Sequence, residues 1–371
     1  MNPLNKLSEF GQAIWLDDIH RDLITSGDLK RLIEEDGLKG MTSNPAIFNK
    51  AIADSEVYET DIRELRGEGK SAKEISEALA IKDVRMAADV FRSLYEETDG
   101  EHGYVSIEVN PYLARSTQRT LEEARRLWQG VDRPNIFVKV PATKEGLGAI
   151  EQLLGEGINV NVTLLFSLPR YGEVANAFNR GIERRTRSGA SVERLRSVAS
   201  FFLSRIDALL DPQFEDIMAK GGEQAAVAKG LRGEVAIASA KMAYQMYKTI
   251  VGGERWQKLA AKGAHPQRLL WASTSTKNPD YSDVKYVESL IGRETINTAP
   301  METIEAYRDH GNPHPRLEDH LDHARGVLAD LRKVDVDINE AAQRLENEGI
   351  GKFCKPFDAL LETLEKEMAT A

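Results

Sequence analysis

A lysine lies in the middle of an apolar, strand-like segment of this sequence. The segment begins at Asn135, ends at Thr143 and reads Asn-Ile-Phe-Val-Lys-Val-Pro-Ala-Thr, which places Lys139 at its centre. Removing an ammonium group from water is costly, so lysine is rarely buried without a reason. Burial favours the neutral amine, which is the form that attacks a carbonyl carbon. Lys139 is therefore a candidate Schiff-base nucleophile; the alternative is an edge-strand lysine whose side chain extends to water.

Polar side chains also occur at or near the ends of the neighbouring strand-like segments. In chain order they are Asp17, Asn44, Glu108, Lys139, Asn161 with Thr163, Ser200 with Arg205, and Lys277. One such residue is ordinarily a helix cap or a buried hydrogen-bonding group. Seven consecutive segments that each bring a polar group to one rim are not explained by capping, so these residues predict a functional site.

The residue types fit the formation and cleavage of an imine. Asp17 suits the acid/base that moves protons on a substrate hydroxyl. Glu108 and Thr163, on either side of the lysine strand, suit the binding of a water molecule. Arg205 offers a planar fork for phosphate oxygens, and Lys277 lies in a hydroxyl-rich loop. The sequence therefore predicts a site for a phosphorylated carbonyl compound.

The elements that must position these residues alternate between strand and helix. The predicted strands are residues 13–16, 38–42, 104–109, 136–140, 159–164, 198–203, 269–272 and 295–297. Eight strands separated by amphipathic helices favour a (β/α)8 TIM barrel, an α/β fold whose active site lies at the carboxyl ends of the strands. A doubly wound open sheet is the alternative fold. We expect residues 1–371 to form one domain, with a helical insertion around 211–264 and a C-terminal helix over 355–369 packed on the barrel.

Composition limits the class of protein. The chain has 371 residues, 41% of them hydrophobic and 29% charged, and a formal net charge of -10, which argues against a nucleic-acid partner. Cys354 is the only cysteine, so an intrachain disulfide or a cysteine-based zinc site is impossible. The sequence contains no apolar run of membrane length and no signal-peptide pattern at its start. We therefore expect a cytoplasmic protein without a membrane partner.

Several motifs together carry a resemblance to one family. They include Ile14-Trp-Leu-Asp-Asp, Gly40-Met-Thr-Ser-Asn-Pro-Ala-Ile-Phe, Ser106-Ile-Glu-Val-Asn-Pro, the segment around Lys139, Asn159-Val-Asn-Val-Thr-Leu-Leu-Phe-Ser, Ala199-Ser-Phe-Phe-Leu-Ser-Arg-Ile-Asp, Thr295-Ile-Asn-Thr-Ala-Pro and the tail at Phe353. In this order, spanning nearly the whole chain, they resemble the transaldolase family, the class I (Schiff-base) enzymes of the non-oxidative pentose phosphate pathway.

The resemblance implies a role for each site residue. Lys139 matches the imine-forming lysine, Asp17 the acid/base, and Glu108 with Thr163 the pair that positions the catalytic water. In a further match, Asn44 and Asn161 correspond to residues that hold substrate hydroxyls or surround the lysine, and Ser200 and Arg205 to phosphate-end ligands. Lys277 is shifted from the family's second basic phosphate ligand, so its assignment is a departure from the pattern.

The implied activity is a transferase reaction on aldehyde or ketone residues. It moves a dihydroxyacetone unit from sedoheptulose 7-phosphate to glyceraldehyde 3-phosphate, giving erythrose 4-phosphate and fructose 6-phosphate, with no metal or organic cofactor. The partners expected are small-molecule sugar phosphates, for a monomer or a homodimer. A Schiff-base lyase similar to fructose 6-phosphate aldolase is the alternative; Phe202 stands where such aldolases place a tyrosine, which favours a transferase. A third possibility, a barrel that only binds sugar phosphates, is disfavoured because Lys139 and Asp17 are both present.

Four histidines, His310, His314, His320 and His323, lie close together in the sequence. Such a cluster is compatible with a metal site, but no carboxylate-rich surrounding accompanies it and imine chemistry needs no ion. The glycines at 146 and 148 lack the third glycine of a dinucleotide fingerprint. We therefore predict no metal site and no dinucleotide site.

Overall fold

The computed structural model describes residues 2–370 and contains a closed barrel of eight parallel strands in sequence order. The strands are β1 Gln12–Asp17, β2 Gly40–Thr42, β3 Tyr104–Glu108, β4 Ile136–Pro141, β5 Val160–Leu165, β6 Ser197–Phe202, β7 Arg268–Ala272 and β8 Thr295–Ala299. Because β1 pairs with β8 as well as with β2, the sheet has no edge strand. The predicted TIM barrel is therefore confirmed, and the open-sheet alternative is wrong.

Helices surround the barrel. They are α1 Pro3–Glu9, α2 Arg21–Thr25, α3 Asp28–Glu35, α4 Pro45–Ala53, α5 Glu59–Gly67, α6 Ala72–Val90, α7 Arg92–Glu97, α8 Thr117–Val131, α9 Lys144–Glu156, α10 Leu168–Arg187, α11 Ser204–Lys220, α12 Glu223–Leu231, α13 Val235–Gly252, α14 Glu254–Ala260, α15 Lys285–Glu288, α16 Met301–His310, α17 Leu321–Asp330 and α18 Ile338–Thr370. Short 3-10 helices span Glu56–Tyr58, Pro111–Leu113 and Leu331–Val334.

The strands are buried along almost their whole length, as expected for parallel strands covered by helices. Their register places Lys139 opposite Glu108 of β3 and Asn161 of β5. Paired residues of neighbouring strands project to the same side of a sheet, so these three side chains share the barrel interior. The register between β5 and β6 shifts after Val162, and Leu164 adopts a φ of 57° at this irregularity.

The turn after β4 is tight. Thr143 caps α9, its Oγ1 accepting a hydrogen bond from the amide of Gly146 at 3.0 Å. A Cβ at Gly146 would lie 2.0 Å from the carbonyl oxygen of Pro141, so only glycine fits there. The capped turn fixes the end of the strand that carries Lys139.

Two helical regions are longer than predicted. The helical material after β6 begins with α11 at Ser204 rather than near residue 211. The last helix, α18, begins at Ile338, well before residue 355, and runs through Gly349, Gly351 and Pro356. These residues disfavour a helix, but α18 packs on α4 and α6 and contacts β5. Tertiary packing therefore outweighs local propensity here.

The predicted apolar face of the last helix is largely buried: Leu360 and Leu364 are buried, and Leu361 is half-buried. Across residues 2–370, each helix is too short or too polar to cross a bilayer.

Candidate active site

A cavity of about 480 Å³ opens at the carboxyl ends of the barrel strands. Its walls come from most of the strands and from the loops that follow them. Among the residues that line it are Asp17, Thr42, Asn44, Lys50, Lys139, Thr163, Ser200, Phe202, Arg205, Ser275, Lys277, Thr298 and Phe353. Seven residues of the predicted site therefore meet at one cavity, namely Asp17, Asn44, Lys139, Thr163, Ser200, Arg205 and Lys277.

Lys139 projects from β4 into this cavity, and its side chain is only 7% exposed. Its Nζ donates a hydrogen bond to the carbonyl oxygen of Ser43 at 2.8 Å and lies 3.3 Å from Oε2 of Glu108. Lys139 belongs to an interior strand of a closed barrel, so the alternative of an edge-strand lysine extended into water is wrong. The amine is held by two acceptors at the base of the cavity.

Glu108 contacts the amine but does not line the 480 Å³ cavity. It lines a separate cavity of about 70 Å³ between α4, α6 and α8. Burial raises the pKa of the Glu108 carboxyl above its usual value, whereas the charge of Lys139 opposes that rise. A carboxyl with a raised pKa beside an amine is suited to exchanging a proton with it.

Asp17, at the end of β1, is fixed by a hydroxyl. Thr42 Oγ1 donates a hydrogen bond of 2.6 Å to Asp17 Oδ1 and lies 2.8 Å from Oγ1 of Thr298. Three adjacent strands, β8, β1 and β2, thus meet around one carboxylate. Our sequence reasoning did not assign Thr42 or Thr298 to the site, because a threonine in a strand is ordinarily a structural residue.

Thr163 and Ser200 line the cavity from β5 and β6, whereas Asn161 lies within the barrel wall. Asn161 Nδ2 donates to Oγ of Ser106 at 3.1 Å, and Ser200 Oγ donates to Oδ1 of Asn161 at 2.6 Å. Oγ1 of Thr163 is buried and has no hydrogen-bond partner among the described residues. Thr163 therefore holds a buried, unsatisfied hydroxyl in the wall of the cavity.

Arg205, in the first turn of α11, lies between two aromatic rings. Its guanidinium carbon is 5.3 Å from the ring centroid of Phe202 and 5.8 Å from that of Phe353 on α18. Burial lowers the pKa of Arg205, and the charges of Asp17 and Glu108 oppose this. Its Nη1 is buried without a hydrogen-bond partner within residues 2–370. An oriented guanidinium with a free donor is suited to binding an oxyanion.

Basic residues also reach the cavity rim. Lys277 is exposed, and its Nζ donates to Oγ of Ser275 at 2.6 Å. Lys50 is likewise exposed and faces the same cavity. Asn44 is half-exposed and caps α4, its Oδ1 accepting from the amides of the next helical turn. The side chain of Asn44 is therefore already committed to the backbone at one end.

Phe353 is a site residue that our sequence reasoning did not assign. The tail at Phe353 was part of the family resemblance, but its distance from the barrel strands in the sequence gave no sign of contact with Arg205.

The four histidines that lie close together in the sequence do not form a metal site. In residues 2–370, no group of three or more His, Cys, Asp or Glu side chains is arranged to hold a metal ion. His310 instead contacts Asp283 and Asp309.

The fold and the cavity define a class: a (β/α)8 barrel with a buried lysine in a polar cavity at the carboxyl ends of its strands. A family model described as transaldolase/fructose-6-phosphate aldolase matches residues 14–364. The chain is 47% identical over 371 residues to a transaldolase of Trichodesmium erythraeum, covering 99% of this chain and 98% of that protein. It is 48% identical over 361 residues to a transaldolase of Thiobacillus denitrificans, covering 97% of this chain and 99% of the relative. A transaldolase of Thermobifida fusca is 45% identical over 369 residues, 99% of each chain.

This chain therefore belongs to the transaldolase/fructose-6-phosphate aldolase family. Membership agrees with the resemblance drawn from the motifs. It does not by itself assign a role to any side chain, so the roles of the site residues stay predictions.

Proposed function

We propose that the chain is a transaldolase that carries a dihydroxyacetone unit on Lys139 as a Schiff base. The donor is sedoheptulose 7-phosphate and the acceptor is glyceraldehyde 3-phosphate; the products are erythrose 4-phosphate and fructose 6-phosphate. The observation that carries the proposal is the buried amine of Lys139, 3.3 Å from Glu108 and open to a 480 Å³ cavity. Full-length relatives that bear the name transaldolase support the same activity.

The reaction begins when the neutral amine of Lys139 attacks the ketone carbon of the donor. Loss of water gives a protonated imine, which withdraws electrons from the neighbouring carbon–carbon bond. Asp17 takes the proton of the substrate hydroxyl, the carbon–carbon bond breaks, and an aldehyde leaves. The remaining enamine attacks the acceptor aldehyde, Asp17 returns the proton, and hydrolysis of the new imine frees the product and the amine.

Water enters this scheme twice, once as a leaving group and once as a reactant. We assign its positioning to Thr163 and Glu108. Thr163 lines the cavity, and its buried Oγ1 has no hydrogen-bond partner among the described residues. Glu108 contacts the amine itself, and its raised pKa suits a group that passes a proton to and from the nitrogen.

The phosphate of each substrate would bind beside Arg205, at the start of α11. Arg205 supplies a buried guanidinium with a free Nη1, and Ser200 a neighbouring hydroxyl. Lys277 at the rim would add a second positive charge. Asn44 would contact substrate hydroxyls, and Asn161 would hold Ser200 in place.

Transfer is favoured over simple cleavage. Phe202 lines the cavity and packs on Phe166 with ring centroids 5.2 Å apart. Because phenylalanine has no hydroxyl group, this position cannot activate water for release of the enamine. We place the reaction in the pentose phosphate pathway. We also propose a cytoplasmic location, because a chain with Cys354 as its single cysteine is typical of a reducing compartment.

Borohydride trapping tests the proposal. Fructose 6-phosphate and borohydride should together fix a covalent adduct that mass spectrometry maps to Lys139. Lys144→Ala is the matched control, since Lys144 is an exposed lysine just after the same strand. A Lys139→Ala protein that is still labelled would refute the assignment. Rapid release of free dihydroxyacetone without any acceptor would identify a lyase instead.

A further inference from the structure

A second cavity lies at the opposite end of the barrel from the candidate active site. It has a volume of about 220 Å³ and is bordered by the amino ends of β6 and β7. Arg196 precedes β6 and Arg268 is the first residue of β7, and both face this cavity. β6 is six residues long and spans about 17 Å, so the two cavities lie at opposite ends of the barrel.

Arg196 is a buried cation that forms no ion pair within residues 2–370. It is 5% exposed. Its Nη1 donates to the carbonyl oxygens of Glu193 at 2.6 Å and Leu195 at 3.2 Å, and its Nη2 lies 3.4 Å from the carbonyl oxygen of Asp99. In the described part of the chain, Nε is buried without a partner and no carboxylate forms an ion pair with this residue. A buried charge whose hydrogen bonds all go to neutral groups is costly, and the charge of Glu101, which acts to raise the pKa of Arg196, offsets only part of that cost.

Arg268 brings a second positive charge to the same cavity. It is 8% exposed, and within residues 2–370 its carboxylate partner is Glu101, whose Oε1 lies 2.7 Å from Nη1. The charge of Arg268 adds to burial in lowering the pKa of Arg196. Glu294 also borders the cavity but is exposed to solvent. Among the described residues, one carboxylate therefore forms an ion pair with these two buried guanidinium groups, and its partner is Arg268.

His265, another residue of the cavity wall, has a pKa that is affected by these two arginines. Burial lowers its pKa, and the charges of Arg196 and Arg268 lower it further, against Glu101 and Asp99. The imidazole is therefore neutral at pH 7 and adds no repulsion toward the two arginines.

We propose that this cavity binds a phosphate group, which is held by the guanidinium groups of Arg196 and Arg268. A phosphate oxyanion would supply negative charge beside the two arginines, and its oxygens would accept charge-assisted hydrogen bonds from guanidinium N–H groups that reach the cavity. The phosphate can be inorganic or the end group of a small metabolite. Bound there, it stabilises the folded chain, because it binds the native state and not the unfolded one.

The test must separate this site from Arg205 at the other end of the barrel. The full-length Arg205→Gln protein is titrated with inorganic phosphate at constant ionic strength, balanced with chloride, by calorimetry and by thermal unfolding. We expect one phosphate per chain and a rise in Tm. Adding Arg196→Gln should weaken binding by about tenfold or more, the weight of a hydrogen bond to a charged group. Glycerol 3-phosphate, titrated in parallel, shows whether a phosphate ester also fits.

Arg194→Gln is the matched control. Arg194 lies two residues earlier, is exposed and pairs with Asp99, so its replacement should leave phosphate affinity unchanged. Glu101→Gln is an independent variant that leaves Arg196 intact. It frees Arg268 from its carboxylate, so phosphate should bind several-fold more tightly.

Three results would each overturn the proposal. The first is that the Arg205→Gln protein binds no phosphate. The second is that Arg194→Gln and Arg196→Gln weaken phosphate binding equally, and the third is that Glu101→Gln leaves phosphate affinity unchanged or lowers it. If Arg196→Gln fails to fold, the Glu101→Gln titration decides. None of these results depends on imine formation at Lys139, so a failure of the phosphate proposal would leave the proposed transaldolase reaction untested and unaffected by these titrations.

Discussion

Replacing Lys139 with methionine should lower the free energy of unfolding, and the size of this loss should depend on whether the Glu108 carboxyl is ionised. Lys139 Nζ and Glu108 Oε2 are 3.3 Å apart, and the two side chains are 7% and 9% exposed. With an effective dielectric constant of about 20, the attraction between unit charges at this distance is about 5 kcal/mol. Desolvation of both groups offsets much of it, so the intact pair contributes little net stability.

The cost of breaking the pair is larger than its net contribution. Methionine has a similar length but carries no charge, so it leaves the Glu108 carboxylate buried without a partner, at a cost of about 3–5 kcal/mol. It also leaves the carbonyl oxygen of Ser43 without its 2.8 Å hydrogen bond, which adds about 1 kcal/mol. At pH 8 we therefore expect Lys139→Met to be less stable than the parent protein by about 4–6 kcal/mol.

The deficit should depend on pH with a definite sign. Burial raises the pKa of Glu108 above 4.5, and the opposing effect of Lys139 disappears in the variant, so this pKa rises further. A carboxyl whose pKa is higher in the folded state than in the unfolded state favours folding fully below 4.5, and this contribution is lost as the pH rises through the folded-state pKa. The gap between Lys139→Met and the parent should therefore be narrow near pH 4.5 and wide at pH 8.

Urea unfolding followed by circular dichroism, at both pH values, measures this gap. The double variant Lys139→Met/Glu108→Gln is the control: with no buried charge, it should recover most of the loss at pH 8 and show less pH dependence. The remaining deficit belongs to the unsatisfied carbonyl of Ser43. A gap that is equal at the two pH values, or a double variant no more stable than Lys139→Met, would show that the two groups do not form a buried ion pair.

Three further changes probe the site. Asp17→Asn should keep the trapped adduct but lower kcat by about 10²–10⁴, and an unchanged kcat would remove Asp17 from the reaction. Arg205→Gln should raise KM for phosphorylated donors by about 10–100-fold and leave unphosphorylated donors nearly unaffected; an equal loss for both would contradict phosphate binding. Phe353→Leu removes a ring 5.8 Å from Arg205 and should raise the same KM by about 2–30-fold, the equivalent of ~0.5–2 kcal/mol. Phe357→Leu, on the same helix but against Tyr112, is its control and should leave KM unchanged.

The barrel was predictable because its strands are covered on both faces. Such strands are short, nearly continuous apolar segments, and each predicted strand lies within two residues of the observed one. Lys139 was conspicuous for the same reason, since one charge interrupts an otherwise apolar strand. The carboxyl-end rule for barrels then placed Asp17 and Arg205 at the same rim.

The missed features depend on contacts between distant parts of the chain. Thr42 and Thr298 are 256 residues apart and meet only because the barrel closes between β8 and β1. Phe353 contacts Arg205 from a helix that continues through Gly349 and Gly351, where local propensity predicts a turn. Packing against α4 and α6 decides the length of this helix, and a single sequence does not contain that information.

Hydrogen-bonded short side chains in the barrel interior explain how the amine can be held rigidly without being buried in apolar residues. Ser106, Asn161 and Ser200 form a chain that crosses from β3 to β6, past the strand of Lys139, with bonds of 3.1 and 2.6 Å. Each of the three is almost completely buried, so the bonds lie in a medium of low dielectric constant, where they are strong and hold the strands in register. Apolar side chains at these positions would leave no polar support beside a charged pair. The polar interior therefore pre-organises the site before a substrate enters, and the reaction does not have to reorganise it.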